Sequence, residues 1–300
     1  MKSVLVIGST CVDVIIRVDH LPKTEENLHP ESQRFTIGGC AYNVANILGR
    51  AGAALTFVTP VGRQGVFGPF VRETLAQLPF ASMVDLPNEQ NGCCYCFVEK
   101  TGERTFCSIH GAEYTFDSAW MTPYAGQSFD YGYVCGLEVE ECTGENLVAY
   151  LEHAPIGTLM YAPGPRGVRI RQELTNRLFA LHPLLHLNAG EALALSGQDN
   201  LDDALRSLHA RTQQAVIATM GADGARCIEN GVLYTVPGAP VSHVVDTIGA
   251  GDSHAGAVLL GLSRGMALRD ALALANRVSA AVVQTDGATL SDADFVRVID

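Results

Sequence analysis

Short apolar, β-branched runs alternate with helix-length segments along most of this chain, and that alternation limits its fold more than any other feature. Residues 4–7 read as a strand, 41–51 as a helix, 55–60 as a strand and 67–78 as a helix. The rhythm resumes with strands at 131–135, 158–161, 184–187 and 215–219. Helices are expected at 144–153, between 161 and 184, and at 202–211, with Ala-rich helices at 251–264 and 268–284. Strands that are apolar at every position are buried on both faces, as in parallel sheets covered by helices. The expected fold class is therefore α/β, with a mostly parallel central sheet between two helical layers.

Two stretches break the rhythm. Residues 12–18 and 32–37 read as strand, loop, strand, within lid segments of about 12–18 and 28–37. The segment 91–110 holds two strands around Lys100-Thr101-Gly102, a hairpin signal. Together they predict a small antiparallel sheet projecting from a single domain spanning 1–300, or else extra strands on the edge of the main sheet. A projecting sheet can serve as a lid over a site.

Composition narrows the partners. With 300 residues, 47% of them hydrophobic and 17% charged, the chain can build a substantial core. A net charge of -12 repels nucleic acid phosphate and anionic lipid, so neither is an expected partner. The longest apolar run, 255–262, falls far short of the roughly 20 residues of a membrane span. Nine cysteines, an odd number, and an N-terminus interrupted by Asp13, Arg17 and Asp19 point to the reducing cytoplasm.

The segment Asp246-Thr247-Ile248-Gly249-Ala250-Gly251-Asp252 carries the clearest chemistry. Two glycines one residue apart let backbone N–H groups converge, and the apolar run that follows opens a helix whose N-terminus favours an anion. Asp252 would repel a bound phosphate unless a hydroxyl lies between them. It then fits a general base for phosphoryl transfer, with Gly249, Ala250 and Gly251 as the anion hole. The alternative is a Gly-rich helix entry with a first-turn acid. A second glycine pair, Gly38-Gly39, leads into a helix carrying Asn43, whose amide suits a pair of sugar hydroxyls. Asp13 follows the turn at Gly8-Ser9 and can accept hydroxyl hydrogens. Here too the plainer reading is a helix start with a surface asparagine. The lysine-containing phosphate loop is excluded, because the chain has only Lys2, Lys23 and Lys100. The dinucleotide fingerprint fails at His254, where a third glycine belongs.

Gly38-Gly39-Cys40-Ala41-Tyr42-Asn43-Val44-Ala45 and the Asp246–Asp252 segment, about 210 residues apart, together resemble the two signatures of the ribokinase-like (PfkB) carbohydrate kinases. The resemblance runs from Gly8 to about Ala288. It implies a three-layer α/β/α sandwich with a β lid, and ATP-dependent transfer to a hydroxymethyl group of a sugar, or of a nucleoside on the same fold. It implies Asp252 as base and Asp13, Gly38, Gly39 and Asn43 as substrate contacts, with Glu138 as a further substrate-side acid. Asn188 and Glu191 would place Mg2+ and phosphate through water. Thr219, Gly221, Gly224 and Asn276 would line the nucleotide site. Asp246, Ile248, Val283 and Ala288 would hold a monovalent cation, K+, as activator. It also implies a homodimer formed through the lid.

Several residues depart from the pattern or lie outside it. His254 replaces an aromatic residue, either as a packed ring or as a titratable group near the phosphates. Arg34, Arg63, Arg104 and Arg166 are candidates for a second phosphate site, although none belongs to a motif. Cys93, Cys94 and Cys96 favour packing or lid contacts over a metal. His110, Glu113 and Tyr114 are candidate substrate neighbours. Two rival readings are a catalytically silent ligand-binding relative and a nucleotide-dependent oxidoreductase.

Overall fold

The computed structural model describes residues 1–101 and 103–299. Gly102 of the expected hairpin turn and Asp300 at the end of the expected domain lie outside the described residues. Among the described residues nine strands form the main sheet. From one edge they run β13 (Val232–Val236), β12 (Ala225–Glu229), β11 (Val216–Thr219), β10 (Leu184–Asn188), β9 (Ile156–Ala162), β8 (Phe129–Cys135), β1 (Ser3–Ile7), β4 (Ala54–Gln64) and β5 (Ala81–Gln90). Neighbours from β11 to β5 are parallel, and β12 and β13 add antiparallel strands at one edge.

Both faces of this sheet are covered. Val4 and Val6 of β1 pack with α1 (Cys40–Arg50), α2 (Phe67–Ala76), α8 (Ala250–Ser263), α9 (Leu268–Val282) and α10 (Asp292–Ile299). Leu5 and Ile7, the alternate positions, pack with α4 (Gly144–Leu151), α5 (Gln172–Ala180) and α7 (Leu201–Thr212). Successive side chains of a strand point to opposite faces, so a strand buried on both sides needs an apolar residue at each position. This is the three-layer sandwich expected from the sequence. Two short helices, α3 (Gly136–Glu140) and α6 (Ala189–Ser196), follow β8 and β10 directly.

The second sheet is separate, with order β3 (Ser32–Gly38), β2 (Cys11–Val18), β6 (Cys93–Glu99), β7 (Arg104–Ile109). It is mixed rather than antiparallel. Each hairpin is antiparallel, but β2 and β6 pair in parallel. The chain leaves the first hairpin to build β4, α2 and β5, then re-enters in the direction of β2. The strand expected over 32–37 is β3, which begins at Ser32, after Pro30, a residue with no N–H to offer a ladder. The small sheet faces the carboxyl ends of the parallel strands, where open α/β sheets bind ligands.

Candidate active site

The loop before α8 turns through Gly249, whose φ of 71° is left-handed. A Cβ there would sit 2.4 Å from the Ala288 Cβ, so both conformation and space require glycine. At Gly251 a Cβ would meet nothing within 4 Å. The first-turn N–H groups of α8 have no helical acceptors and carry the positive end of the helix dipole. Asp252 stands in this turn. Its Oδ2 accepts a hydrogen bond from Asn43 Nδ2 at 2.9 Å. Burial pushes its carboxyl above the usual range, while hydrogen bonds from Asn43 and Cys40 pull the other way.

Asn43 comes from the first turn of α1, which is capped by Gly39 at φ 107°. A Cβ on Gly39 would lie 2.6 Å from the Ser9 carbonyl oxygen, and one on Gly38 2.0 Å from Asp13 Oδ2. The glycine pair therefore admits protein neighbours. Gly38 makes room for Asp13, and Gly39 lets α1 close on the β1–β2 turn. Asn43 Oδ1 is buried without a partner. Burial, with Asp252 and then Asp246 nearby, raises the Asp13 carboxyl to about 7.

These groups share one cavity of about 990 Å³. Asp13, Gly39 and Asn43 line it, facing Asn188, Glu191, Gly249, Gly251 and Asp252. Asn188 and Glu191 form a capping box on α6. Asn188 Oδ1 accepts from Glu191 N at 2.8 Å, and Glu191 Oε2 accepts from Asn188 N at 2.9 Å. The N-x-x-E spacing is thus a helix-start device that also fixes a carboxylate at the cavity wall. Burial raises the Glu191 carboxyl, and Asp252 adds to the effect. Among the described residues no cluster of three metal-ligating side chains exists. One fixed carboxylate suits a magnesium ion that keeps most of its water and shares its other ligands with phosphate.

An adjoining cavity of about 290 Å³ is lined by Thr219, Gly221, Gly224, His254, Asn276 and Val283, among others. The four expected nucleotide residues are therefore together. Asn276 shapes the wall. Its amide nitrogen donates to the Val236 and Pro237 carbonyls at 3.1 and 2.9 Å, and its Oδ1 lies 3.1 Å from His254 Nε2. The two donations fix the amide orientation, so Nε2 of His254 carries the proton. Nδ1 then accepts from His186 Nε2 at 2.8 Å. Burial lowers His254 to about 4 and His186 well below its usual value. His254 is a packed, neutral, hydrogen-bonded ring, not a titrating group near phosphate.

Other expectations are corrected. Glu138 is 1% exposed and does not line the cavity. Its Oε1 accepts from Ser9 N at 2.9 Å, so it braces the β1–β2 turn from the start of α3. Glu113 likewise accepts from the Gly92 and Gly111 amides, while His110 and Tyr114 do reach the cavity. The arginines offer no free phosphate site. Arg34 pairs with Asp286, Arg63 with Asp85, Arg104 with Asp246 and Arg166 with Glu140. Cys94 lines the cavity and Cys96 packs with Ile15, Val98 and Ile248. Two of the four residues expected to hold a monovalent cation, Asp246 and Val283, are already engaged by protein donors. Asp246 Oδ1 accepts from Ile248 N at 2.7 Å and lies 2.8 Å from Arg104 Nη1. Val283 O already accepts from Val245 N and Asp246 N. Arg104, placed among the phosphate candidates in the sequence, instead joins the small sheet to Asp246 and Thr247 of the loop before α8.

The sequence model of the pfkB family carbohydrate kinases matches residues 1–294. An uncharacterized sugar kinase of Escherichia coli, YegV, is 35% identical over 286 residues, covering 94% of this chain and 88% of that protein. Mouse ribokinase is 26% identical over 297 residues, covering 95% and 90%. Among solved structures, Thermotoga maritima ribokinase superposes with a TM-score of 0.84 at 20% identity, covering 99% of both chains. A Burkholderia thailandensis nucleoside kinase solved with inosine gives 0.77 at 19% identity, covering 99% and 97%. The match over nearly the whole length, on a ribokinase fold, makes this chain a member of the pfkB carbohydrate kinase family.

Proposed function

We propose that this protein transfers the γ-phosphoryl group of ATP to a hydroxymethyl group of an unphosphorylated sugar. The observation that carries this reading is the convergence of Asp252, the amides of the 249–251 turn, Asn43 and Asp13 on one cavity. Asp252 takes the proton of the attacking hydroxyl. The α8 amides hold the charge that develops on the transferring group. Asp13 accepts from sugar hydroxyls, and Asn43 Oδ1 accepts from another. ATP lies along Thr219, Gly221 and Gly224, with its phosphates directed at α8. Glu191 would hold magnesium through water, and the ion would supply charge neutralisation on the phosphates. Closure of the small sheet as a lid excludes water, a competing acceptor.

The paired arginines support an acceptor without its own phosphate, since Arg166, which lines the cavity, is already held by Glu140. A nucleoside is the second reading. It is favoured by Phe106, an aromatic side chain 57% exposed at the cavity wall, where a base can stack. Pairing of two copies through the small sheet belongs to the same proposal, with exposed Phe35 and Ile109 as contact surface. So does residence in the cytoplasm, which suits nine free thiols.

The test is ADP release from MgATP across pentoses, ketohexoses, sugar phosphates and nucleosides, with Asp252→Asn as control. A neutral sugar that turns over only with the native enzyme supports the proposal. Turnover confined to nucleosides selects the second reading, and turnover confined to sugar phosphates rejects both.

A further inference from the structure

We infer that Arg104 is a built-in monovalent cation. Its guanidinium takes up Asp246, one of the residues expected to hold an alkali ion before α8, making the protein independent of potassium and tying the small sheet to the anion-binding turn. The catalytic part of this inference rests on reading 249–251 as that turn.

Arg104 sits on β7, paired with Val98 of β6. It crosses from the small sheet to three consecutive residues of the main body. Nη1 donates to Thr247 Oγ1 at 2.8 Å and lies 2.8 Å from Asp246 Oδ1, and Nη2 reaches the Val245 carbonyl at 3.5 Å. A carboxylate, a hydroxyl and a carbonyl are the oxygen donors that a hard monovalent ion would collect. Both partners are withdrawn from water, with side chains 13% and 4% exposed. Coulomb attraction there is screened far less than at the surface. A potassium ion on the same oxygens would bring a second positive charge against the guanidinium.

Asp246 transmits the effect. Its Oδ1 also accepts the Ile248 amide at 2.7 Å, which fixes the direction in which the chain enters Gly249. Ala250 N in turn reaches the Thr247 carbonyl at 3.4 Å. Arg104 does not line the cavity, so it is a positioning residue, acting on the turn through Asp246 and Thr247. A buried carboxylate left without its partner is strongly unfavourable and would pull the turn out of register.

The first measurement is thermal unfolding in potassium chloride against choline chloride at matched ionic strength, which needs no substrate. The native protein should melt alike in both. Arg104→Ala should melt lower in choline and recover in potassium or guanidinium. The second is kcat with the acceptor that the ADP-release panel selects. Native turnover should be indifferent to potassium. The alanine variant should lose on the order of 10²-fold, the scale of a small misplacement of catalytic groups, and regain part of it with potassium. Arg104→Lys should keep most of the turnover without a potassium response. If the alanine variant fails to fold, Arg104→Gln carries the same test.

Native protein that is stabilised or activated by potassium over choline would overturn the inference. So would a folded Ala or Gln variant with native melting and no cation response, or a lysine variant as impaired as alanine. If no acceptor is found, the melting comparison still decides the cation question while the kinase reading fails by itself.

Discussion

Asn43 donates to Asp252 across the two helix entries, joining the first turn of α1 to the first turn of α8 at 2.9 Å. One amide therefore does two jobs. Its nitrogen orients and acidifies the carboxylate, and its unpartnered oxygen is the acceptor proposed for a ligand hydroxyl.

Replacement of Asp252 by Asn keeps the shape of this pair and removes the base. Turnover should fall by about 10²–10⁴-fold, the usual contribution of a general base. Nucleotide affinity, measured by calorimetry, should change little. Near-native turnover would remove Asp252 from the proton-transfer role.

Asn43→Ala should move the pH profile. The lost hydrogen bond was lowering the Asp252 carboxyl, so its titration shifts upward. The base is active when deprotonated. The acidic limb of kcat/KM should therefore shift to higher pH, with a raised KM for acceptor and little change for ATP. An unmoved limb would show that the bond does not set the base.

Asp13 is held against its own ionisation, raised from 3.8 to about 7. Between those values the native state binds the proton that the unfolded chain has released. This group's favourable share of stability is complete below pH 4 and is lost as pH rises through about 7. Asp13→Asn should accordingly raise the melting temperature at pH 8, leave it nearly unchanged at pH 4, and weaken acceptor binding. Equal shifts at the two pH values would contradict a raised carboxyl.

Gly38→Ala tests the packing beneath Asp13. The added methyl meets Asp13 Oδ2 at 2.0 Å, so the carboxylate or the strand must move. Acceptor KM should rise more than ATP KM. The reverse split would place Asp13 on the nucleotide side.

His254→Phe breaks the chain from His186 to Asn276. The Asn276 oxygen and a His186 nitrogen lose their partners, at a cost of about 1–3 kcal/mol for each buried group. The Val236–Pro237 wall should loosen, raising ATP KM above acceptor KM. Because His254 is lowered from 6.5 to about 4, its contribution to stability is present above pH 6.5 and lost as pH falls through 4. The variant should lose less stability than the native protein between those values, as read by unfolding across the range.

Most of the layering was legible because strands such as 4–7 are buried on both faces and announce it with unbroken apolar runs. β5 was not, because Asp85, Pro87 and Asn88 occupy an edge strand that is half exposed. α10 escaped because it is short and opens with acids that read as a loop. At the site, Asp13, Asn43, Glu191 and Asp252 are brought together as the motifs implied. Glu138 and Arg104 could not be placed from spacing. Each is defined by a partner more than a hundred positions away, Ser9 for one and Asp246 for the other. The role of the 188–191 spacing as a capping box was readable from local rules alone, since Asn before a helix with Glu at its third position is the pattern itself.

The two sheets divide the labour of recognition. Asp13 belongs to β2 of the small sheet, while Asn43 and Asp252 stand on helices of the main body. On the proposed reading an acceptor spans both bodies at once, held at one end and deprotonated at the other. Selectivity on that reading comes from molecular reach, because the hydroxyls of an acceptor must be spaced to meet β2 and α8 together.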